Sequence, residues 1–144
     1  MKEKKMKVYI AAPLYCDYEK DYNLKIDTFL RENGFDTYLP QRDGGELAAM
    51  PDFIDGITKE QYVFEKDLEA MDASDVFLFL LDGRVPDEGA CVALGYFYRS
   101  GKPCVGLKSD HRCLTPSGDN LMIAKALRKI CRSKEELLEY LKQL

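Results

Sequence analysis

The chain has 144 residues, 46% of them apolar, which suits one globular domain with a single continuous core. Acidic residues outnumber basic ones by 25 to 21, so the net charge favours neither nucleic acid nor an anionic membrane as a partner. The basic N-terminal run lacks the length and apolar content of a signal peptide or a membrane span. We therefore expect a single cytoplasmic domain over residues 1–144.

The cysteines and the histidine argue against thiol catalysis and against a metal site. Five cysteines form no CxxC pair and leave one over in any disulfide scheme, so reduced thiols are expected. The single histidine, His111, lies in a polar stretch, and a nucleophilic cysteine normally needs a histidine base beside it. One histidine without clustered cysteines does not predict a zinc site, and we expect no metal.

The first half of the chain predicts two strands and two helices. Residues 6–12 form a short apolar and β-branched run that ends at Pro13, which is typical of a buried strand. Apolar residues at helical spacing and a following Gly34 indicate the first helix. The predicted elements are a strand (6–12), a helix (17–33), a strand (35–39), a surface loop (41–56) and a helix (58–71).

The second half of the chain continues this alternation. The run VFLFLL over 76–81 is apolar on both faces, as expected of a central parallel strand that helices cover on each side. Ser133 and Glu136 have the spacing of a capping box that begins the last helix. The predicted elements are a strand (76–81), a helix (87–100), a strand (103–107), a loop to Asp119, a helix (120–127) and a final helix to Leu144.

This order of elements predicts an α/β fold. Strands that alternate with helices within one domain form an open parallel sheet with helices on both faces. We expect a flavodoxin-like order of about five strands. Ligands of such sheets bind at the carboxyl ends of the strands, so a site is expected in the loops after Ala12, Leu39, Leu81 and Leu107.

The loop after the first strand, APLYCDYEK, has neither the glycines of a dinucleotide fingerprint nor the Gly-Lys-Ser/Thr of a P-loop. The usual phosphate cradle is therefore absent, and we predict no cofactor. Tyr9 near the strand end and Tyr15 in the loop offer an aromatic wall on which a planar base could stack. Two tyrosines of the core or the rim would produce the same pattern.

The segment PDEGACVALGYFYRSGKP places the carboxylates of Asp87 and Glu88 at a helix start, where the helix dipole favours anions. Acidic residues in a first helical turn are also common without any function. Gly89 and Ala90 keep this helix start narrow, so a ligand can approach closely and Gly89 becomes a candidate binding residue. Asp67, in the FEKDLEAMD helix pattern, is either another ligand-facing carboxylate or part of a solvated stripe.

Five segments together resemble the nucleoside 2-deoxyribosyltransferase family, in family order and across residues 7–127. They are KVYIAAPLY, YLPQRDGG, EKDLEAMDASD, PDEGACVALGYFYRSGKP and the Asn-Leu-Met of GDNLMIA. Members of this family exchange the base of a 2'-deoxynucleoside for another purine or pyrimidine, through a covalent deoxyribosyl-enzyme formed on a glutamate. The logic is that of a retaining glycosidase, in which one carboxylate is the nucleophile and another carboxyl handles the proton of the leaving group.

The resemblance implies a role for each residue that matches a family motif. Tyr9 is similar to the tyrosine that orients the nucleophile, and Tyr15 is similar to the aromatic residue that packs on the base. Asp87 corresponds to the acid that protonates the departing base. Asp67 corresponds to the carboxylate that holds the sugar hydroxyls.

The resemblance also implies partners. Asn120 is similar to the asparagine that a neighbouring subunit lends to the 5' end of the sugar, which implies a homo-oligomer whose site is completed across a dimer interface. Gln41 and Arg42 are weaker candidates for reading base edges. The expected partners are 2'-deoxynucleosides, free bases and a second copy of the chain, without nucleic acid or membrane.

The chain departs from the family at the position of the nucleophile. The family pattern continues after Asp-Glu-Gly to Glu-Leu-Gly, whereas this chain has Ala93, Leu94 and Gly95. Alanine has no oxygen to attack and no charge to stabilise an oxocarbenium ion, so the chain should be nearly inactive as a transferase. Three explanations stay open: an engineered Glu-to-Ala change, a natural homologue that binds nucleosides without chemistry, or catalysis through Glu88 or a water. Glu88 lies on a different helical face from Ala93 and is poorly placed.

Two other kinds of function also stay open. A nucleoside or nucleotide N-glycosidase of the same superfamily would use water in place of the acceptor base. A nucleotide would need contacts to its 5' phosphate, for which the chain offers Arg84, Ser109 and Ser117, while Asn120 suits an unphosphorylated 5' hydroxyl. A nucleoside sensor would bind its ligand without turnover, as Ala93 predicts. A receiver-like signalling module would need an acidic cluster after its first strand, and Asp17 is a poor substitute for one.

Overall fold

The computed structural model describes residues 2–113 and 118–144, and its main feature is a five-stranded sheet. The strands are β1 (Lys7–Ala11), β2 (Asp36–Tyr38), β3 (Phe53–Ile54), β4 (Ile57–Thr58), β5 (Val76–Leu80), β6 (Cys104–Leu107) and β7 (Lys129–Cys131). The helices are α1 (Asp17–Glu32), α2 (Lys59–Asp72), α3 (Glu88–Tyr98), α4 (Leu121–Ala126) and α5 (Lys134–Lys142). Two short helical turns, Pro40–Gly44 and Leu47–Ala49, follow β2.

The main sheet has the strand order β2-β1-β5-β6-β7, and every neighbouring pair is parallel. This is the flavodoxin-like order, so the predicted fold class is confirmed. The strand order reverses between β1 and β5. In sheets of this kind a crevice for ligands opens at that point, outside the carboxyl ends of the strands.

Apolar side chains cover both faces of the sheet, as predicted. On one face β1, β5 and β6 pack against α1 and α5 through residues such as Ile26 and Leu137. On the other face Tyr9 and Phe77 pack against α2, α3 and α4. Every residue of β5 is buried, in agreement with its position at the centre of the sheet. Within the described ranges, no helix is long and apolar enough to cross a membrane.

The structure differs from the predicted surface loop at 41–56, because β3 and the turn of a hairpin lie within it and the second strand, β4, follows directly at Ile57. Phe53 pairs with Thr58, and Ile54 pairs with Ile57. Asp55 and Gly56 form the turn with φ of 51° and 82°, the left-handed backbone that a type I′ turn requires. The Gly, Asp and Pro content of this segment indicated a loop, and strands of two residues are too short to show an alternating pattern against it.

β7 and the start of α5 also differ from what the sequence predicted. β7 supplies the fifth strand, although only Cys131 of its three residues is buried, so its composition gives little signal. Ser133 Oγ accepts a hydrogen bond from the backbone N of Glu136 at 3.1 Å, as a capping box requires. Glu136, however, accepts from the backbone N of Arg132 at 2.8 Å, so the box is only half formed.

Candidate functional site

A cavity of about 410 Å³ lies at the carboxyl end of β1, between α2 and α3. Most of the residues that the sequence identified line this cavity, and they are Tyr9, Tyr15, Asp67, Asp87, Gly89 and Ala93. The rest of its wall is mainly apolar and includes Leu14, Phe64, Leu68 and Met71. An apolar concavity with a few convergent polar groups is the usual form of a small-molecule site.

Tyr9 lies at the base of the cavity and is held rigidly by other aromatic rings. Its side chain belongs to β1 and is 3% exposed. Its ring stacks on Tyr38 at a centroid distance of 5.3 Å and on Phe77 at 5.8 Å, both with an interplanar angle of 10°. Burial, and then the charge of Asp67, raise the pKa of the Tyr9 hydroxyl well above its usual value. The hydroxyl is therefore a neutral hydrogen-bond donor.

Asp67 faces the cavity from α2. Phe64, Leu68 and Met71 line the same cavity, and their spacing around Asp67 places all four residues on one helical face. The Tyr38 hydroxyl donates a long hydrogen bond of 3.5 Å to Asp67 Oδ1. Burial raises the pKa of the Asp67 carboxyl, while the bond from Tyr38 lowers it. The effect of burial is the larger one, so the pKa of Asp67 lies above its usual value, and its carboxyl oxygens are the acceptors on this wall of the cavity.

Asp87 is the N-cap of α3 and stands at the opposite wall. Its Oδ2 accepts a hydrogen bond from the backbone N of Ala90 at 2.8 Å. Its negative charge is the main reason that the pKa of the exposed Tyr15 is raised, so these two side chains share the rim. A Cβ atom added at Gly89 would lie 3.3 Å from Asp87 Oδ2, a tight contact that glycine avoids.

Ala93 lies one turn further along α3 and contributes to the same cavity. The position that resembles the nucleophile therefore faces the same space as Tyr9, Asp67 and Asp87. Glu88 is exposed and lines a different cavity, in agreement with its expected position on another helical face.

Gln41 and Arg42 do not line the cavity, although the sequence made them candidates for reading base edges. Gln41 accepts a hydrogen bond from Asn23 Nδ2 at 3.0 Å and donates one to the backbone O of Lys20 at 3.0 Å. Arg42 forms ion pairs of 2.7 Å with Asp27 and with Asp43. These contacts tie the turn after β2 to α1, so both side chains are occupied elsewhere.

Asn120 also lies outside the cavity of its own chain. It is the N-cap of α4, and its Oδ1 accepts hydrogen bonds from the backbone N of Met122 at 2.9 Å and of Ile123 at 3.3 Å. Its expected contribution to a neighbouring subunit stays a prediction.

The residues considered for a 5' phosphate are not gathered at the cavity either. Arg84 lines a separate cavity, and Ser109 donates to Asp82 Oδ2 at 2.6 Å. Ser117 lies outside the described residues. No group of three or more His, Cys, Asp or Glu side chains in the described part of the chain could hold a metal ion.

The sequence did not indicate Phe64, which lines the cavity, or Tyr38, which contacts Asp67 from beside it. Tyr38 ends β2, and the parallel register places it opposite Tyr9. The strand order would have suggested Tyr38 as a neighbour of the site. Phe64 precedes Asp67 by three residues, so helical spacing from Asp67 was the available signal.

Comparisons with known proteins relate this geometry to a family. Residues 8–138 match a family model described as nucleoside 2-deoxyribosyltransferase, which confirms the predicted resemblance. No curated protein matches the chain. A conserved protein from Enterococcus faecalis V583 has a similar structure, with a TM-score of 0.78 and 25% identity over 97% of this chain and 99% of that chain.

Two further solved structures share the fold. The 2-deoxyribosyltransferase of Bacillus psychrosaccharolyticus has a TM-score of 0.76 and 24% identity, over 93% of this chain and 91% of that chain. The CMP N-glycosidase of Clostridium botulinum has a TM-score of 0.59 and 17% identity, over 94% of this chain and 98% of that chain.

Proposed function

Because the chain belongs to the nucleoside 2-deoxyribosyltransferase family, a family of glycosyl-transferring enzymes, we propose that its cavity binds a 2'-deoxynucleoside. The observation that carries this proposal is that Tyr9, Asp67, Asp87 and Ala93 line one cavity at the carboxyl end of β1. Its volume of about 410 Å³ lies within the usual range of small-molecule sites.

The base and the sugar of the ligand contact different parts of the cavity wall. The base packs on Tyr15 and the apolar wall, where a planar ring loses contact with water. The sugar hydroxyls donate to Asp67, a partly buried acceptor. Asp87, on the opposite wall, faces the base and supplies the proton that a departing base needs.

The charges around the cavity support a nucleoside rather than a nucleotide. None of the described residues that line the cavity is a lysine or an arginine, whereas Asp67 and Asp87 are both acidic. A 5' phosphate would meet repulsion from both carboxylates and no cation. An uncharged 5' hydroxyl meets neither obstacle.

The reaction of this scaffold needs a carboxylate at position 93. A glutamate oxygen there attacks the anomeric carbon, the bond from that carbon to the base nitrogen breaks, and the base leaves with a proton from Asp87. A second base then attacks the same carbon, releases the glutamate and returns the proton. Ala93 offers no oxygen for the first step, so this chain binds the nucleoside and exchanges its base very slowly.

A second copy of the chain completes the site through Asn120. The side chain is exposed and lies outside its own cavity, next to Leu121 and Met122, which are 70% and 76% exposed. Exposed apolar side chains beside a polar group are typical of an interaction surface. This arrangement supports the oligomer that the resemblance implies.

A base-exchange assay tests the proposal. Thymidine and adenine are incubated with the chain, with Ala93→Glu and with Ala93→Gln, and deoxyadenosine and free deoxyribose are measured by chromatography. We expect Ala93→Glu to exceed the other two by at least about 10³-fold, the scale on which removal of a nucleophile acts. Ala93→Gln controls for side-chain size, because it lacks the charge and the nucleophilic oxygen pair.

Calorimetric titration of all three proteins with thymidine and with deoxyadenosine separates binding from chemistry. Binding by all three proteins together with exchange by Ala93→Glu alone supports the proposal. Release of deoxyribose without exchange would identify a hydrolase of the same superfamily. If none of the three proteins binds thymidine or deoxyadenosine, the proposal of a nucleoside site is wrong.

A further inference from the structure

The carboxylate of Asp67 is held by a partner from another element. Asp67 belongs to α2, and the Tyr38 hydroxyl at the end of β2 donates to its Oδ1 at 3.5 Å. This distance is at the long end for a hydrogen bond. The contact joins the end of β2 to α2 beside the cavity.

The Tyr38 ring has little freedom to move away from Asp67. It is 8% exposed and stacks on Tyr9, which stacks in turn on Phe77. The backbone of Gly44 lies near the hydroxyl, where an added Cβ atom would be in ordinary van der Waals contact with the Tyr38 hydroxyl at 3.6 Å and with Asp67 Oδ1 at 3.7 Å. The stacked rings thus hold the hydroxyl beside the carboxylate.

The ionisable groups around this pair come from several elements. They are Tyr9 on β1, Asp43 in the turn after β2, Tyr62 and Lys66 on α2, and Asp87 on α3 across the cavity. Burial raises the pKa of Asp67, and the hydrogen bond from Tyr38 and the charge of Lys66 lower it. Of these two, Tyr38 is the group that contacts the carboxylate directly.

We propose that Tyr38 is a positioning residue that holds the Asp67 carboxylate as the acceptor for a sugar hydroxyl of the ligand. The inference rests on the proposed function, because the hydroxyl belongs to the nucleoside that the cavity takes. Tyr38 itself acts through Asp67 and needs no contact with the ligand. Without the Tyr38 hydroxyl, the protonated form of Asp67 persists to higher pH, and a protonated carboxyl is a poorer acceptor.

Tyr38→Phe tests this role because it keeps the stacked ring and removes only the hydroxyl. The midpoint of the Asp67 carboxyl titration, followed by ¹³C NMR between about pH 3 and pH 8, should move upward in Tyr38→Phe. The Kd for thymidine should be about fivefold higher than in the unmodified chain at about pH 5, and the difference should narrow towards about pH 8.

Tyr22→Phe is the matched control. Tyr22 is a half-buried tyrosine that packs against the other face of the sheet, and its hydroxyl also lies beside a carboxylate, Asp82. Loss of that hydroxyl should leave both the Asp67 titration and the pH profile of thymidine binding unchanged. In an Asp67→Asn background, Tyr38→Phe should no longer alter the pH profile.

The outcomes separate this inference from the proposed function. If the unmodified chain binds thymidine but Tyr38→Phe leaves the Asp67 midpoint or the pH profile of the Kd unchanged, the positioning role is wrong and the nucleoside site stands. If no deoxynucleoside binds the unmodified chain at any pH, both proposals fail. A melting temperature close to that of the unmodified chain shows that Tyr38→Phe folds normally.

Discussion

The carboxylate of Asp87 has a structural contact and a proposed chemical role, and two substitutions separate them. Its Oδ2 caps α3 through the backbone N of Ala90 at 2.8 Å. Asparagine caps a helix as well as aspartate does but cannot supply a proton, whereas alanine can do neither. In an Ala93→Glu background, we expect both Asp87→Asn and Asp87→Ala to slow base exchange by about 10²–10⁴-fold.

The stability of the two variants should differ. Urea unfolding should show that Asp87→Ala lowers the free energy of unfolding by about 1 kcal/mol, while Asp87→Asn changes it by less than about 0.5 kcal/mol. Equal exchange rates in Asp87→Asn and its parent would show that another group protonates the base. If exchange slows in Asp87→Ala but not in Asp87→Asn, the role of Asp87 is purely structural.

At the scale of elements, the turn after β2 is held in place by a buried charge on α1. Asp27 is 2% exposed and forms ion pairs with Arg42 at 2.7 Å and with Arg31 at 3.4 Å. If one of these arginines is removed, the buried carboxylate still bears the cost of leaving water but loses part of the ion pairing that offsets it. The turn supplies Pro40 to the wall of the cavity, so its anchoring is a structural requirement of the site.

We expect Arg42→Met to destabilise the fold without changing which base is preferred. The free energy of unfolding should fall by about 1–3 kcal/mol, because Arg31 still pairs with Asp27. The Kd values for thymidine and for deoxyadenosine should keep their ratio, as measured by calorimetry. Arg84→Met, at an exposed residue away from the turn, is the control and should change neither quantity. A changed Kd ratio at unchanged stability would restore Arg42 as a reader of base edges.

The same elements show how far the sequence predicts the fold. The run of β5 is apolar at every position, and in a chain where strands alternate with helices that pattern indicates a central parallel strand. The helices follow from apolar spacing and from caps such as Thr58, which accepts a hydrogen bond from the backbone N of Gln61. β3 and β4 have two residues each, too few for a periodicity to be visible, and β7 has only one buried residue among its three.

The site was predicted only where a motif contained the chemistry. Tyr9, Asp67 and Asp87 belong to segments that resemble a family, and the fold brings them to one cavity. Tyr38 contacts Asp67 across 29 positions of the chain, a contact that depends on the strand register and on the placement of α2. Gln41 also follows β2, but its amide forms hydrogen bonds with residues of α1 rather than lining the cavity. The turn that carries it lies within hydrogen-bond distance of that helix.

At the scale of the whole molecule, α3 and α4 pack side by side and form an exposed surface with several apolar side chains. Tyr98 on α3 is 57% exposed and Met122 on α4 is 76% exposed, and both line the shallow groove between these helices. Adjacent exposed apolar side chains mark surfaces that a partner covers. Asn120 lies on this surface, so a second copy that covers it would receive the asparagine side chain.

We expect the unmodified chain to sediment as a dimer or a larger assembly, and Met122→Glu to sediment as a monomer. A glutamate at this position would place an unpaired charge in the interface, which costs more than the loss of the methionine contacts. Thymidine affinity should fall by about tenfold in Met122→Glu, because the ligand loses the hydrogen bond from Asn120 of the second copy. Leu24→Glu is the control, since Leu24 is 49% exposed on α1, across the sheet from this surface. If the unmodified chain is a monomer and binds thymidine, the site belongs to one copy alone. If Met122→Glu is a monomer and binds thymidine with unchanged affinity, Asn120 takes no part in binding.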